Sequence, residues 1–384
     1  MRHASSSTKR AGTAFAALAV AALAIAATAF AKADVPQTAV APNVSCASTS
    51  IGFMGPITGA AAFIGKEQLG FARYAVRRLG GGKIRLVEGD TQLDPALAAM
   101  VGARFHAGDN ILAVVGPASS QEVLAVAQIF KRKEPLPFVS ASATVTSLTN
   151  GSIPTFRRVV ANHSVQSPTI AKYIRQILKA KRVFIVDDQT AYSRPLAAGV
   201  QAILRAGGVN VTRQSVNEKV ADFSTLVSRI SDDTDVVFLP WQIAARGQIF
   251  GQQMKEQGKR ALIFGSDGLD SGDFTITGSY VSAFAPDIRA IKGNSAFIRG
   301  YAAKFVSNFG PPTYVATQAV IASIKRACVD GEATRAEVHK NLKQMLIPRT
   351  VLGGNLQFTG TGDVKGAKFY IFKLGVGGRK TLVG

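Results

Sequence analysis

The chain has 384 residues, 47% of them hydrophobic, with 45 Lys and Arg against 24 Asp and Glu and a formal net charge of +21. Such a length exceeds what one hydrophobic core serves and suits two medium α/β domains. The excess charge does not imply a nucleic-acid partner, because the basic residues are dispersed as KRK, RR and KR groups on helix faces, without aromatic interleaving or a basic tail.

At the N-terminus, Arg2, Lys9 and Arg10 precede an apolar, Ala-rich run over 14–31, and Ala31-Lys32-Ala33 supplies small residues where a signal peptidase reads. Residues 1–33 are expected to be a cleaved secretory signal peptide, the alternative being a membrane anchor, since the run is just long enough to span. Cys46 lies well past that run and lacks the Leu three places earlier that a lipoprotein cysteine has. With the four basic residues of the leader removed, 41 basic and 24 acidic residues remain, a balance of +17. No later segment is long and apolar enough to cross a bilayer, and an exported protein facing anionic surfaces or acidic solutes accounts for the charge.

Residues 34–49 read as an Ala-, Pro- and Thr-rich flexible lead-in. A strand at 50–54 then ends in the turn 55–59, and a helix over 66–79 sets Leu69, Ala72 and Val76 against Arg73, Arg77 and Arg78. Strand 84–88, a helix to 105, strand 111–115, helix 121–131 and strand 137–139 follow, and 156–160 closes this first run. A second run alternates helix 164–178, strand 183–186, helix 196–205, strand 209–216, a short helix capped by Asp222, strand 236–240, helix 244–257 and strand 261–264. Such repeats predict parallel sheets covered on both faces. The last third breaks the alternation, with helices near 295–308, 314–329 and 335–346 and a hairpin-like end at 354–358 and 368–374. Helices that return to cover the first sheet imply several crossings between domains, and crossings act as hinges.

The chain converges on 114–149. Two neighbouring strand ends finish in hydroxyl-rich turns, Gly116-Pro-Ala-Ser-Ser120 and Ser140-Ala-Ser-Ala-Thr144. In an open α/β sheet, ligands bind at the carboxyl ends of the strands, where helix N-termini present N–H groups that favour anions. The two turns therefore make a cradle for a small carboxylate, although Ser119, Ser120 and Thr144 are also residues that cap helices. Asp267, after an apolar strand and between Gly265 and Gly268, is placed to pair with a ligand ammonium. That division of labour fits an amino acid.

Enzyme signatures fail. Residues 59–66 approach a phosphate-binding loop, but five residues separate the glycines and Glu67 stands where Ser or Thr would hold Mg²⁺. No G-x-G-x-x-G follows the first strand and no G-x-S-x-G occurs. The four histidines, His3, His106, His163 and His339, show no metal-ligand spacing and read as surface or packing residues; no metal or cofactor is expected. The two cysteines, Cys46 and Cys328, are either one disulfide or two buried thiols.

Taken in order, GPITG at 55–59, VVGPASS at 114–120, ASAT at 141–144 before SLT at 147–149, PTIAKY at 168–173, DFSTLV at 222–227, GQI at 247–249, GSDG at 265–268 and TGTGDVKG at 359–366 form a specific series. On these residues the chain, from about 50 to 374, resembles the periplasmic leucine/isoleucine/valine-binding family of ABC-transporter receptors. The resemblance implies the type I periplasmic binding fold: two Rossmann-like lobes with parallel sheets joined by three hinge crossings near Ala161, Ala285 and Tyr370. The first lobe would be 50–162 with 286–370 and the second 163–285 with 371–384. It implies that Ser120 and Thr144 take the α-carboxylate, that the Ser142 carbonyl, beside Ala143, and the Asp267 carboxylate take the α-ammonium, and that Tyr192 closes over the solute. Trp241 and Gln242 stand where a small residue and an aromatic are usual, Phe63 and Ile64 shift the first-lobe aromatic by about one place, and Asp267 is one methylene shorter than the usual Glu. The implied protein is a periplasmic, monomeric receptor that delivers an amino acid to an inner-membrane ABC permease. The alternatives are the same fold binding an aromatic carboxylate, amide or urea, or a ligand-sensing module.

Overall fold

The computed structural model describes residues 43–384, so the expected signal peptide and residues 34–42 of the lead-in lie outside it. The chain opens with β1 (Val44–Ser45), β2 (Thr49–Gly55), α1 (Ala62–Leu79), β3 (Ile84–Asp90), α2 (Pro95–Ala107), β4 (Ile111–Val115), α3 (Ser120–Phe130), β5 (Phe138–Ser140) and β6 (Phe156–Arg158). It continues with α4 (His163–Lys172), β7 (Arg182–Asp187), α5 (Ser193–Ala206), β8 (Asn210–Ser215), α6 (Ser224–Val227), β9 (Val236–Leu239), α7 (Ala244–Glu256), β10 (Leu262–Gly265) and β11 (Tyr280–Ala283). The last part holds α8 (Ser295–Tyr301), α9 (Gly310–Ala327), β12 (Glu332–Ala333), α10 (Arg335–Lys343), β13 (Leu346–Ile347), β14 (Leu356–Gln357), β15 (Tyr370–Leu374) and β16 (Lys380–Leu382).

These strands form two main sheets. The first has the order β3-β2-β4-β5-β6 and is parallel throughout. In the second, β8-β7-β9-β10-β11 are parallel, and β15 and β16 add antiparallel edges beside β11. Within each sheet the five parallel strands follow the doubly wound order 2-1-3-4-5, which puts a topological switch between β2 and β4 in one lobe and between β7 and β9 in the other. The strands are buried apolar runs such as Ile111–Val115 and Val236–Leu239, as a sheet covered on both faces requires. Helices α1, α9 and α10 pack over the first sheet, so the late helices do return to it. The chain passes between the sheets after β6, after β11 and before β15.

Three expectations need correction. The part of the lead-in that is described, 43–49, is folded: β1 pairs with β12, and Cys46 is disulfide-bonded to Cys328 with the Cα atoms 5.7 Å apart. That bond pins the start of the first lobe to the end of α9. The hairpin expected between 354–358 and 368–374 does not form, because β14 pairs with β13 while β15 pairs with β11 and β16. The helix expected over 295–308 stops at Tyr301, where Ala302 turns left-handed at φ 61°.

Candidate functional site

The two hydroxyl-rich turns lie at the carboxyl ends of β4 and β5, beside the first switch point. Gly116 lets the first turn form: at φ +111° it sits so close to β2 that a Cβ would come 2.1 Å from the Met54 carbonyl oxygen. Ser119 caps α3 by accepting from the Glu122 N–H at 3.3 Å, while the Glu122 carboxylate accepts from the Ser119 N–H at 2.7 Å. The turns are stitched to one another. Ser140 Oγ donates to the Pro117 carbonyl at 2.7 Å, Ser142 Oγ donates to the Ala118 carbonyl at 2.7 Å, and Ser120 Oγ accepts from the Val145 N–H at 3.2 Å. Gln68, from α1, donates to Ser142 Oγ at 2.9 Å.

This stitching leaves a defined set of groups available. Among the described residues, the backbone N–H groups of Ser120, Gln121 and Thr144 donate to no acceptor, and the Ser120 hydroxyl has no acceptor for its own proton. Three N–H groups, two of them at the N-terminus of α3, with a hydroxyl donor beside them suit a carboxylate. The Ser142 carbonyl also accepts from no donor among these residues, whereas Ala143 has both polar backbone groups in use: its N–H donates to Ser140 Oγ at 3.0 Å and its carbonyl accepts from Arg158 at 3.0 Å. Ala143 is left to offer only a methyl group.

On the second sheet, Asp267 follows β10 and Tyr192 precedes α5. Tyr192 donates its hydroxyl to Asp267 Oδ1 at 2.7 Å, and Gln166 of α4 donates to the same oxygen at 2.5 Å. Asp267 Oδ2 accepts from nothing among the described residues. Burial pushes the Asp267 carboxyl up to about 6, against the two hydrogen bonds that favour its ionised form. Burial, with the nearby Asp267 charge, also raises the Tyr192 phenol well above its ordinary value, so it stays a donor. Among the described residues no cation pairs with this buried carboxylate, and burial of an unpaired charge is costly.

Two sequence candidates fall out of the site. Trp241 is 1% exposed, donates Nε1–H to the Val186 carbonyl at 2.7 Å and packs against Phe223 and Phe250, so it is core. Its neighbour Gln242 takes the cleft position instead and accepts from Gln121 of the first lobe at 2.8 Å. Gly268 makes room for that segment, since a Cβ there would lie 2.2 Å from the Trp241 carbonyl oxygen. Ile64 likewise points into the first-lobe core, at 2% exposure, while Phe63 is half-buried and packs against the cores of both lobes.

His163 and Gln166 were not anticipated. Expected as a surface or packing residue, His163 is buried at the start of α4 just past the first crossing, its ring 5.3 Å from that of Tyr192, and its Nε2 also lies 3.0 Å from Thr144 Oγ1. Burial, and then the Arg158 charge, push its imidazole down to about 3, so it is neutral. Among the described residues, His163 Nδ1, Gln166 Oε1 and Gln121 Oε1 are buried without partners. Asp270 also ties the lobes, accepting from the Asn308 N–H at 3.0 Å, while Lys380 pairs with the same carboxylate at 2.5 Å.

Comparison with known proteins agrees with this fold. Residues 48–379 match the family described as "Periplasmic binding protein". The chain is similar to the Leu/Ile/Val-binding protein BraC3 of Rhizobium johnstonii, at 29% identity over 85% of this chain and 92% of that protein. Among solved structures it is similar in fold to the leucine-binding protein LivK of Thermotoga maritima (TM-score 0.79, 20% identity, 88% of this chain and 98% of that one). It is similar too to LivJ of Streptococcus pneumoniae, solved with isoleucine (TM-score 0.76, 22% identity, 88% and 99% covered). By its match over most of its length, the chain belongs to the periplasmic binding protein family.

Proposed function

We propose that this protein is a receptor that captures an amino acid between two closing lobes and delivers it to an inner-membrane ABC permease without chemical change. One observation carries the reading: free N–H and hydroxyl donors at Ser120, Gln121 and Thr144 on one sheet stand with a buried carboxylate that lacks a cation, Asp267, on the other. The ligand carboxylate binds the donors of the first lobe. Its ammonium is shared by the Ser142 carbonyl and Asp267 Oδ2, with the orphaned Gln166 Oε1 as a further acceptor. Burying both charged ends is tolerable because each gains paired, hydrogen-bonded partners. Phe63 and Gln242 face the side chain, and Tyr192 orders Asp267 rather than covering the ligand. The similarity to branched-chain receptors favours an aliphatic side chain.

The lobes are assigned as 50–162 with 286–370 and 163–285 with 371–384, bending near Ala161, Ala285 and Tyr370. Export by the leader, a periplasmic location and a monomeric state complete the proposal. A thermal-shift panel of the twenty amino acids, aromatic acids, short amides and urea tests it, since a ligand of the folded state alone raises the melting temperature. One or a few L-amino acids should shift the wild-type chain and leave Asp267→Ala unmoved. Shifts confined to solutes without an ammonium group would refute the amino-acid reading.

A further inference from the structure

A cavity of about 390 Å³ lies behind the interlobe cleft, at the three crossings. Val159 lines it from the first crossing, Phe284 and Pro286 from the second, and Lys368 and Tyr370 from the third. An occupant there touches every segment that must bend when the lobes move. The volume falls within the roughly 300–1,000 Å³ of small-molecule sites. None of the groups proposed to hold the amino acid lines it.

Its chemistry is one-sided. Val159, Phe284, Val315 of α9 and Leu356 of β14, all 3% exposed or less, form apolar walls. At the mouth stand Lys365 and Lys368, both exposed and neither in an ion pair among the described residues. No Asp or Glu lines the cavity, and the nearest carboxylate in sequence, Asp363, is held by Arg158 at 2.6 Å. The side-chain nitrogen of Asn355 and the Tyr370 hydroxyl also have no partner among the described residues. An apolar body with a single anionic head matches such a lining, the head at the two ammonium groups and the body against the walls.

We propose that this cavity is a second ligand site, separate from the cleft, for an apolar monocarboxylate. Isothermal titration of the mature chain with octanoate should show saturable binding with one site per chain, and octanol, which keeps the apolar body and lacks the charge, should bind at least tenfold more weakly. Lys365→Ala/Lys368→Ala, a change confined to exposed side chains, should weaken octanoate about tenfold, and wild-type binding should weaken with added salt. Ala367→Trp, which fills the cavity, should abolish binding while thermal melting confirms the fold. Asp267→Ala should bind octanoate as the wild type does, which separates this site from the amino-acid reading of the cleft. Octanoate binding that is lost with Asp267, indifferent to both lysines, or absent at millimolar concentration overturns the proposal.

Discussion

The Thr144 hydroxyl and His163 Nε2 lie 3.0 Å apart across the first crossing, joining a proposed carboxylate ligand of one lobe to the first helix of the other. Because the imidazole is held neutral, one of the two atoms donates and the other accepts. Only the tautomer with the proton on Nε2 leaves the Thr144 hydroxyl proton free for a ligand carboxylate. His163→Gln, whose amide still donates, should keep ligand affinity within about threefold. His163→Ala should lose about 1 kcal/mol, roughly fivefold, by titration calorimetry. Equal losses in both would mean that the ring's shape, and not its proton, is what matters.

Asp267 sets the pH response. Its folded carboxyl, near 6, is raised above the ordinary value of about 3.9, so the empty protein gains stability from it below that value and loses it as pH rises through 6. Asp267→Asn should therefore raise the melting temperature of the empty protein at pH 8, corresponding to roughly 2 kcal/mol, and change little at pH 3.5. The same substitution should abolish amino-acid binding. In the wild type, affinity should fall about tenfold per unit as pH drops below 6, since a protonated Asp267 cannot balance an ammonium. A flat affinity profile between pH 5 and 8 would remove Asp267 from the ammonium site. His163 acts in the opposite sense: with its folded value near 3, it costs stability as pH falls below about 6.5, so melting should be measured on Asp267 variants against a His163→Gln background.

Much of this was legible in the chain. Runs such as Ile111–Val115 and Val236–Leu239 can be satisfied only between two helical layers, and strand ends rich in Ser and Thr announce where the N–H groups are left open. Ser120 and Thr144 become candidates on that ground, and Asp267 on its place between two glycines after an apolar strand. The misses have local causes. At Trp241 and Gln242, and again at Phe63 and Ile64, two neighbours compete for one cleft position, and alternation ceases to say which faces inward once the strand or helix ends. The final hairpin failed because β15 pairs with β11, whose Ala283 lies far back in the chain from its partner Tyr370. Pairing over such a distance leaves no turn for the sequence to signal.

The exchange of Trp241 for Gln242 can be tested directly. Trp241→Phe keeps an aromatic core but leaves the buried Val186 carbonyl without its donor, which should cost about 1–3 kcal/mol in urea unfolding and leave ligand affinity within twofold. Gln242→Ala removes a part-buried hydrogen bond to Gln121 across the cleft. It should change affinity several-fold with less than 1 kcal/mol lost in stability. The reverse pattern would return Trp241 to the site.

Adjacent arginines of β6 make the last contrast. Arg157 and Arg158 are 1% and 0% exposed and project to opposite faces of the sheet. Arg158 binds Asp363 at 2.6 Å, the Ala143 and Val145 carbonyls at 3.0 and 2.7 Å, and Thr149 at 2.5 Å, so it holds the second hydroxyl turn in shape. Among the described residues Arg157 has no acceptor for any of its three nitrogens, only the Phe358 ring 5.8 Å away, and burial pushes its guanidinium down to about 10. A buried charge without a partner is a cost that an apolar side chain of similar size avoids. Arg157→Met should therefore leave stability unchanged or raise it by about 1–3 kcal/mol in urea unfolding. Arg158→Met should lower it by about 2 kcal/mol, less than for a fully buried pair because Asp363 is 26% exposed. Losing its hold on the turn, Arg158→Met should also weaken the ligand, and Arg157→Met should not. A destabilised Arg157→Met would mean that the guanidinium has found an anion, and the face of β6 turned toward Phe358 would then need to be treated as a binding surface.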